Sequence, residues 1–462
     1  MGNVRHRDSL QRDRASLHLL PTRFHQPSSL ESPSFHPRQI PLILPSLFLQ
    51  TQNSELRTQN SKLSASSLIP PPMPSSLHLW MPGLFDFKGG IQTYSGFLLQ
   101  ALKELDSELQ TDVFLMHDRD RQQQEMDRSR FHFTGHVPSH LRAPAFAANV
   151  LTAGLLQRPD LVISTHLNFT MVAYWLKRMA GIPYWTVAHG FEAWDVKRPA
   201  LCRAITHADR ILAVSSYTRD RLLKEHHLDP ERVSLLPNTF DAERFQVAAK
   251  PDHLLKRYHL SPDQPIILTV NRLAAGEAYH PYDRVLAALP QIRQTIPNIH
   301  YLIVGKGDDR PRLEQLIADQ QLQHCVTLAG FVPDDELAAY YNLCDVFAMP
   351  SKLEGFGIVF LEAMASGKPV LGSNHDGSVD ALAQGRLGAL VNPDDTAAIA
   401  HTLSQILRRN HANPLMYQPE NLRQAAIETF GNQAFRKALG LLLHAHFKQT
   451  TPSKATDSIL TT

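Results

Sequence analysis

Long apolar runs, paired cysteines and a strong excess of either charge are all missing from this sequence, and each absence removes a class of function. No stretch of eighteen apolar residues occurs, so no single helix is expected to span a bilayer. The nearest approach, residues 40–49, is broken by Pro41 and Pro45 and lies too far from the N-terminus for an ordinary signal peptide. Three cysteines, Cys202, Cys325 and Cys344, stand without paired spacing. That argues against a disulfide framework or a zinc site and fits a reducing compartment. A formal net charge of +2 is too small for a nucleic-acid-binding surface, so no nucleic-acid partner is expected. The 24 histidines do not make a metal site either. His226-His227 and His444/His446 lack a third ligand and flanking carboxylates.

What is present is a globular composition, 43% apolar and 19% charged, in a chain of 462 residues, long enough for two domains. Residues 1–72 stand apart. They hold 12 serines and 9 prolines but one glycine, show no sustained period, and carry a near-duplicate heptapeptide at 51–57 and 58–64. They read as a disordered or non-native extension without chemistry, and Met73 opens the folded part.

From Leu77 onward, short apolar strands alternate with helix-length segments. Strands are expected at 77–80, 112–116, 131–134, 161–165, 184–188, 211–214 and 233–236, and a second set at 266–271, 301–305, 326–329, 346–349, 370–372 and 389–391. That rhythm predicts an α/β fold of two doubly wound parallel sheets. The expected divisions are an N-terminal domain over 73–250, a C-terminal domain over 251–425, a terminal helix over 426–448 that crosses back to the first domain, and a disordered tail over 449–462.

The densest chemistry lies at residues 350–370. An apolar strand arrives, Glu354-Gly355-Phe356-Gly357 makes a turn, and a helix then runs from about Ile358 until Gly367 caps it and Pro369 confirms the stop. The first amides of that helix have no partners within it, and two glycines permit close approach to the backbone, so the turn suits an anion such as phosphate. Carboxylates beside an anion suit hydroxyl-rich groups instead: a sugar hydroxyl for Glu354 and a ribose diol for Glu362. A lone pair of glutamates at this spacing is as often a cap and a surface residue. The strand before it and the Gly367-Lys-Pro369 exit shift the balance toward a ligand site.

Glu354-Gly-Phe-Gly…Glu362-Ala-Met-Ala-Ser-Gly-Lys-Pro-Val resembles the donor-site signature of the retaining glycosyltransferases of family four, the group 1 enzymes. The resemblance covers about residues 74–447. It implies a GT-B fold, two Rossmann-like domains facing a cleft, with a nucleotide sugar on the second domain and an acceptor on the first. Gly89 and Gly90, before the first long helix, correspond by position to glycines lying against the donor's phosphates. His189, in Ala188-His189-Gly190, resembles the family's histidine beside the transferred sugar; His166, at another strand end, is a weaker match. Arg272, in Asn271-Arg272-Leu273, resembles the diphosphate-clamping arginine. Where the family has a lysine eight residues on, this chain has His280, with Lys306 or Lys88 as candidates to compensate. Gly330-Phe-Val332-Pro sits where backbone groups hold the base. Ser215-Ser216 and the turn at Pro237-Asn238-Thr239-Phe-Asp241 are weaker matches, the latter reading as structural punctuation. Asp380 stands at the place of a family acid and reads as a helix cap.

The catalytic set implied is therefore His189, Arg272 and Glu354. The donor set is Gly89, Gly90, Arg272, His280, Val332, Glu354, Gly355, Phe356, Gly357 and Glu362. No metal and no further cofactor are expected, the nucleoside-diphosphate sugar being a co-substrate. The implied function is transfer of a sugar to a hydroxyl of a glycan or lipid-linked acceptor in polysaccharide or cell-envelope synthesis, by a cytoplasmic protein that a membrane's inner face could hold peripherally. Three alternatives stay open: a nucleotide-sugar-binding protein with weak or no turnover, a phosphorylase-like enzyme, and an NAD-dependent enzyme. The second lacks an obvious cofactor lysine, and Gly305-Lys-Gly307 lacks the third glycine that the last would need. The sugar, the base and the oligomeric state stay open as well.

Overall fold

The computed structural model describes residues 74–86, 89–119, 129–276 and 279–450. The readings of residues 1–73 and of Lys88 fall outside that range, as does the tail beyond Thr450.

The first lobe runs β1 (Ser76–Met81), α1 (Gly90–Leu105), β2 (Gln110–Leu115), β3 (Ser129–Phe133), α2 (Ser139–Gln157), β4 (Leu161–Ser164), α3 (Thr170–Ala180), β5 (Tyr184–Ala188), α4 (Pro199–Thr206), β6 (Arg210–Ala213), α5 (Ser216–His226) and β7 (Val233–Leu235). Its seven strands are parallel, in the order β3-β2-β1-β4-β5-β6-β7. After α6 (Asp252–Arg257) comes the second sheet. It alternates β8 (Ile266–Val270), α7 (Pro281–Arg293), β9 (His300–Val304), α8 (Arg310–Asp319), β10 (Val326–Gly330), α9 (Asp334–Leu343), β11 (Val346–Ala348), α10 (Ile358–Ala365), β12 (Val370–Ser373), α11 (Ser378–Ala381) and β13 (Ala389–Val391). Six parallel strands lie in the order β10-β9-β8-β11-β12-β13. Helices α12 (Thr396–Leu407), α13 (Pro419–Phe430) and α14 (Asn432–Thr450) are the last elements among the described residues. Two doubly wound parallel sheets are the GT-B arrangement.

The strands read as apolar runs because helices cover both faces of each sheet. Leu77, Leu79, Trp80 and Met81 of β1 are all fully buried, as are Ile266, Ile267 and Leu268 of β8. Each sheet reverses its winding once, between β1 and β4 and between β8 and β11. At such a point the loops leaving adjacent strand ends diverge and open a crevice, which is where ligands bind in this class of sheet. The loops at these two crevices contain Gly89-Gly90 and His166 in the first lobe, and Arg272 and Glu354 in the second.

The last helix returns to the first lobe. Gly440 is small because a Cβ there would lie 2.9 Å from a Leu105 methyl of α1, Arg436 pairs with Glu104 at 2.7 Å, and Phe435 meets Tyr94 edge-on at 5.6 Å. Upstream, Arg423 of α13 donates to the carbonyls of Ala242, Phe245 and Ala365, tying the linker to the end of α10.

Candidate functional site

The turn that opens α10 is shaped by two glycines with different tasks. Gly357 sits at φ 90°, in the left-handed region open to a residue without Cβ, and starts the helix with no side-chain cap, leaving its first amides unsatisfied by the helix itself. Gly355 is small because a Cβ would fall 1.8 Å from the carbonyl oxygen of His189. The close approach expected of a ligand is, at Gly355, made by the backbone of the opposite lobe. Gly190 completes the contact: its φ is 139°, and a Cβ there would lie 2.7 Å from the Gly355 Cα. Phe356, expected in the donor set, turns its ring inward, 1% exposed and edge-on to Phe430 at 5.5 Å. Its ring is therefore an anchor, and only its backbone is left for a ligand.

An aspartate fixes this loop. Asp376 is 1% exposed, accepts from the Glu354 N–H at 3.0 Å through one oxygen and from the Ser378 N–H at 3.0 Å through the other. The Glu354 carbonyl in turn accepts from the Gly377 N–H at 2.9 Å. Burial pushes the Asp376 carboxyl up to about 6, against the pull of these hydrogen bonds. Next to it Asp380 caps a helix, though one of the opposite lobe: its carboxylate also meets the backbone of Ser216 and Tyr217 in the first turn of α5. Its Oδ2 accepts from the Ser216 hydroxyl at 2.8 Å, a second bond between the lobes, made by two residues whose sequence signals were weak. Ser215 caps α5 by accepting from the Thr218 N–H.

Glu362 lies on α10 with Oε2 accepting from the fully buried Tyr341 hydroxyl at 2.7 Å. Burial raises its carboxyl, opposed by the Tyr341 hydrogen bond and the nearby Arg244 guanidinium and reinforced by Asp334. Its orientation is thus set before any ligand arrives. Arg272 is exposed on the loop after β8. That loop is braced by the Gly305-Lys-Gly307 segment, whose glycines would place a Cβ 1.8 Å from the Asn271 oxygen and 1.7 Å from the Leu273 oxygen. Those glycines serve loop packing, which removes the last sign of a dinucleotide motif. Lys306 lies with Nζ 4.4 Å over the ring of Phe331, itself 62% exposed, while the Val332 side chain is buried and leaves its backbone as the part that a base could meet.

His280 precedes α7 and is tied to buried neighbours. Nδ1 lies 2.9 Å from the Tyr282 hydroxyl, which donates to Asp309 Oδ2 at 2.6 Å, and Asp309 is gripped by Arg312 at 2.7 and 2.6 Å. The Arg312 guanidinium, foremost, holds the Asp309 carboxyl below its ordinary value. The Asp309 N–H also bonds the Leu273 carbonyl at 3.1 Å, linking this chain of groups to the Arg272 loop. Beside it, Lys352 pairs with Asp394 at 2.5 Å and sits 5.3 Å over Tyr279, whose other neighbour is Arg284 at 4.7 Å.

In the first lobe α1 begins at Gly90 after an extended Gly89, again with no side-chain cap, and nothing lies within 4 Å of a Cβ built on Gly90. Asp118, just past β2 and fully buried, shapes the preceding loop by accepting from the N–H groups of Leu84, Phe85 and Asp86 at 2.6, 2.9 and 3.1 Å. His189 has Nε2 2.9 Å from the Thr165 carbonyl. A carbonyl only accepts, so Nε2 carries the proton and Nδ1 holds the lone pair in the neutral ring. Burial favours that neutral form by lowering the pKa, with Glu192 and the Thr165 bond opposing. His166 instead accepts from the Asn168 N–H at 3.1 Å and caps a short turn. Thr239 bonds Asn432 at the start of α14, so the turn at 237–241 is punctuation that also fastens the last helix.

The structure thus joins Gly355 to His189 and Gly190 directly, and links Arg272 to His280 through Leu273 and Asp309. Asp118, Asp376, Tyr282 and Asp309 were missed as supports. An aspartate in an Asp376-Gly-Ser378 turn signals loop hydrogen bonding, but nothing local says which loop. Among the described residues no group of His, Cys, Asp and Glu is arranged to hold a metal ion, and no helix is long and apolar enough to cross a membrane.

Two family descriptions match, "Glycosyl transferases group 1" over residues 253–429 and "Glycosyltransferase Family 4" over residues 88–244. A GDP-mannose-dependent alpha-(1-6)-phosphatidylinositol monomannoside mannosyltransferase of Mycolicibacterium smegmatis is 32% identical over 230 residues, 47% of this chain and 59% of that protein. A D-inositol 3-phosphate glycosyltransferase of Mycobacteroides abscessus is 29% identical over 58% of this chain and 63% of its own length. The match thus spans less than two thirds of either relative. Among solved structures, sucrose-phosphate synthase from Thermosynechococcus elongatus superposes with a TM-score of 0.68 at 22% identity, over 81% of this chain and 100% of that one. Anabaena HepE, solved in complex with UDP-glucose, superposes with a TM-score of 0.65 at 18% identity, over 80% and 99%. With both lobes matched by the family, one on each side of the Gly355–His189 contact, this chain belongs to the group 1 glycosyltransferases of family four.

Proposed function

We propose that the protein transfers a sugar, with retention, from a nucleoside diphosphate to a hydroxyl of a glycan or lipid-linked acceptor. The observation that carries this is the meeting of the uncapped start of α10 with the His189-Gly190 turn, which sets an anion-suited backbone against a neutral histidine of the other lobe. In this reading the diphosphate lies along the amides at residues 355–358, with Arg272 supplying the forked positive charge that stabilises the departing group. Glu362, held by Tyr341, takes the ribose hydroxyls, Glu354 the sugar, and the Val332 backbone the base. His189 Nδ1 accepts from a hydroxyl of the transferred sugar or the acceptor. Gly89 and Gly90 give the phosphates room from the first lobe. The named donors of the similar proteins, GDP-mannose and UDP-glucose, support a nucleotide sugar. No metal or further cofactor has a part in this scheme.

The test is a thermal-shift panel of UDP-glucose, GDP-mannose and ADP-glucose. At least one is expected to stabilise the wild type, with Glu362→Ala weakening its apparent affinity by roughly tenfold to a hundredfold, the worth of about one charge-assisted hydrogen bond. No shift from any of the three in the wild type rejects the donor assignment. A second reading, binding without turnover, draws on His280 in place of lysine; release of free nucleoside diphosphate on adding acceptor separates the two.

A peripheral membrane station is part of the same proposal. Helices α2 and α3 contain no acidic residue, expose Leu141, Leu155, Leu156, Trp175 and Met179, and present Arg158 and Arg178 beside them. An apolar surface on two helices without acidic residues, with arginines at its edge, fits anionic lipid headgroups. The wild type is expected to sediment with phosphatidylglycerol vesicles and not with phosphatidylcholine, and Trp175→Asp to bind about tenfold more weakly. Equal recovery with both lipids counts against the surface.

A further inference from the structure

The corner between α13 and α14 carries two aromatic rings, and each leans on one half of the reaction centre. Phe430, the last residue of α13, is edge-on to Phe356 at 5.5 Å and 80°, inside the turn that holds Glu354 and the first amides of α10. Phe435, in the first turn of α14, is edge-on to Tyr94 at 5.6 Å and 86°, and Tyr94 is edge-on to the His189 imidazole at 5.0 Å and 87°. Beside Tyr94 on α1, Ser95 has Oγ 2.8 Å from the Thr165 hydroxyl, and the Thr165 carbonyl takes the His189 Nε2–H. The imidazole is thus held from α1 at its ring and at its proton, and α1 is held by α14. Tyr94, Phe356, Phe430 and Phe435 all lie buried in one apolar cluster that continues through both lobes, so a displaced ring pushes on the next. Only Gly431 separates the two helices. Its N–H bonds the Ile427 carbonyl at 2.8 Å, its carbonyl accepts from the Phe435 N–H at 3.1 Å, and a Cβ on it would lie 2.5 Å from the Ile427 oxygen. Asn432 then accepts from the Thr239 hydroxyl at 3.0 Å, pinning the corner to the segment that joins the two sheets.

We propose that this corner is a common prop for both halves of the reaction centre: Phe430 sets the Glu354–Gly357 turn through Phe356, and Phe435 sets the His189 imidazole through Tyr94. The inference rests on the proposed function, in which that turn takes the donor diphosphate and His189 meets the transferred sugar or the acceptor. Phe430, Phe435 and Tyr94 are positioning residues, since each acts on the ligand only through another group. An edge-on pair is oriented because the ring edge is positive and the ring face negative, so an aliphatic replacement keeps most of the bulk and loses the alignment. The Tyr94 hydroxyl has no share in this: among the described residues it is buried without a hydrogen-bond partner. A phenylalanine in its place would keep the prop and remove an unpaired polar group. The returning helix therefore serves activity as well as stability, and each of its corner rings serves a different half of the site.

Two readouts on the full chain test it. The first needs no ligand: the imidazole magnetic-resonance signals of His189, identified by their loss in His189→Gln. The wild type is expected to give one sharp set, Phe435→Leu and Tyr94→Leu a shifted and broadened set, and Tyr94→Phe a set as sharp as the wild type's. The second is calorimetric titration with UDP-glucose and with GDP-mannose, at least one of which is expected to bind. Phe430→Leu should weaken that binding about tenfold, the upper reach of one edge-on pair, and leave the His189 signals in place, whereas Phe435→Leu should change it less than about twofold. Leu443→Ala, fully buried in the same cluster further along α14, is the control for plain loosening; it should lower the melting temperature and move neither readout. His189 signals unmoved in Phe435→Leu, or broadened in Tyr94→Phe as in Tyr94→Leu, overturn the prop on the first lobe. Unchanged affinity in Phe430→Leu overturns it on the second. Parallel loss of both readouts in Phe430→Leu, Phe435→Leu and Leu443→Ala is general softening and overturns both. If neither sugar binds the wild type, the donor reading fails and takes the Phe430 half of the prop with it, while the His189 signals still decide the other half.

Discussion

Gly355→Ala is expected to cut transfer by about a hundredfold or more, the scale on which a displacement of about 1 Å acts in a positioned site. The added methyl would begin 1.8 Å from the His189 carbonyl oxygen and 3.1 Å from the Gly190 Cα, and both obstacles are backbone that cannot rotate away. The loop must therefore retreat, carrying Glu354 and the first amides of α10 out of register with the opposite lobe. Gly190→Ala should do the same from the other side, with added strain from its φ of 139°. Gly90→Ala is the control for bulk alone. Nothing lies within 4 Å of its new methyl, so thermal stability should hold while the room proposed for the phosphates shrinks. Steady-state kinetics with melting curves on the three variants decide the matter. Undiminished turnover in Gly355→Ala would mean that the lobes do not meet where the structure joins them.

The fold was legible because a parallel sheet covered on both faces writes each strand as an apolar run, and all thirteen expected strands are found, with no end displaced by more than two residues. The site was legible in part, and the limit has a physical cause. Gly355, Gly305 and Gly307 are all positions where backbone must come close, but a sequence does not say to what; two of the three serve loop packing against residues 271–273, and one a contact between lobes. Phe356 reads the same whether its ring faces a ligand or Phe430. Asp380 and Ser216 are 164 positions apart, and only the closure of two separate sheets brings them within 2.8 Å. Asp376 could be seen as a turn former, whereas its task of holding the Glu354 amide depends on β11 and β12 being neighbours.

That aspartate gives the second large effect, and its sign follows from burial. The carboxyl is raised from an ordinary 3.8 to about 6, so the fold prefers its protonated form. Above pH 6 the ionised group destabilises the native state by up to about 3 kcal/mol, and this is relieved as the pH falls through 6 toward 3.8, below which folded and unfolded chains are both protonated. Asp376→Asn removes that titration. It also replaces one of two acceptor oxygens by an N–H₂ that faces either the Glu354 or the Ser378 N–H, leaving a buried donor without a partner at a cost of about 1–3 kcal/mol. Near pH 7.5 the two changes nearly offset one another, so urea midpoints of variant and wild type should lie close together; near pH 5 the wild type has recovered its share and the variant has not, so the midpoints should separate. Turnover should fall about tenfold or more at both pH values, because the Glu354 loop is loosened whatever the net stability. Parallel stability curves from pH 7.5 to 5 would show that Asp376 is not the buried titrating group beneath the loop, and an unchanged turnover would free Glu354 from its dependence on it.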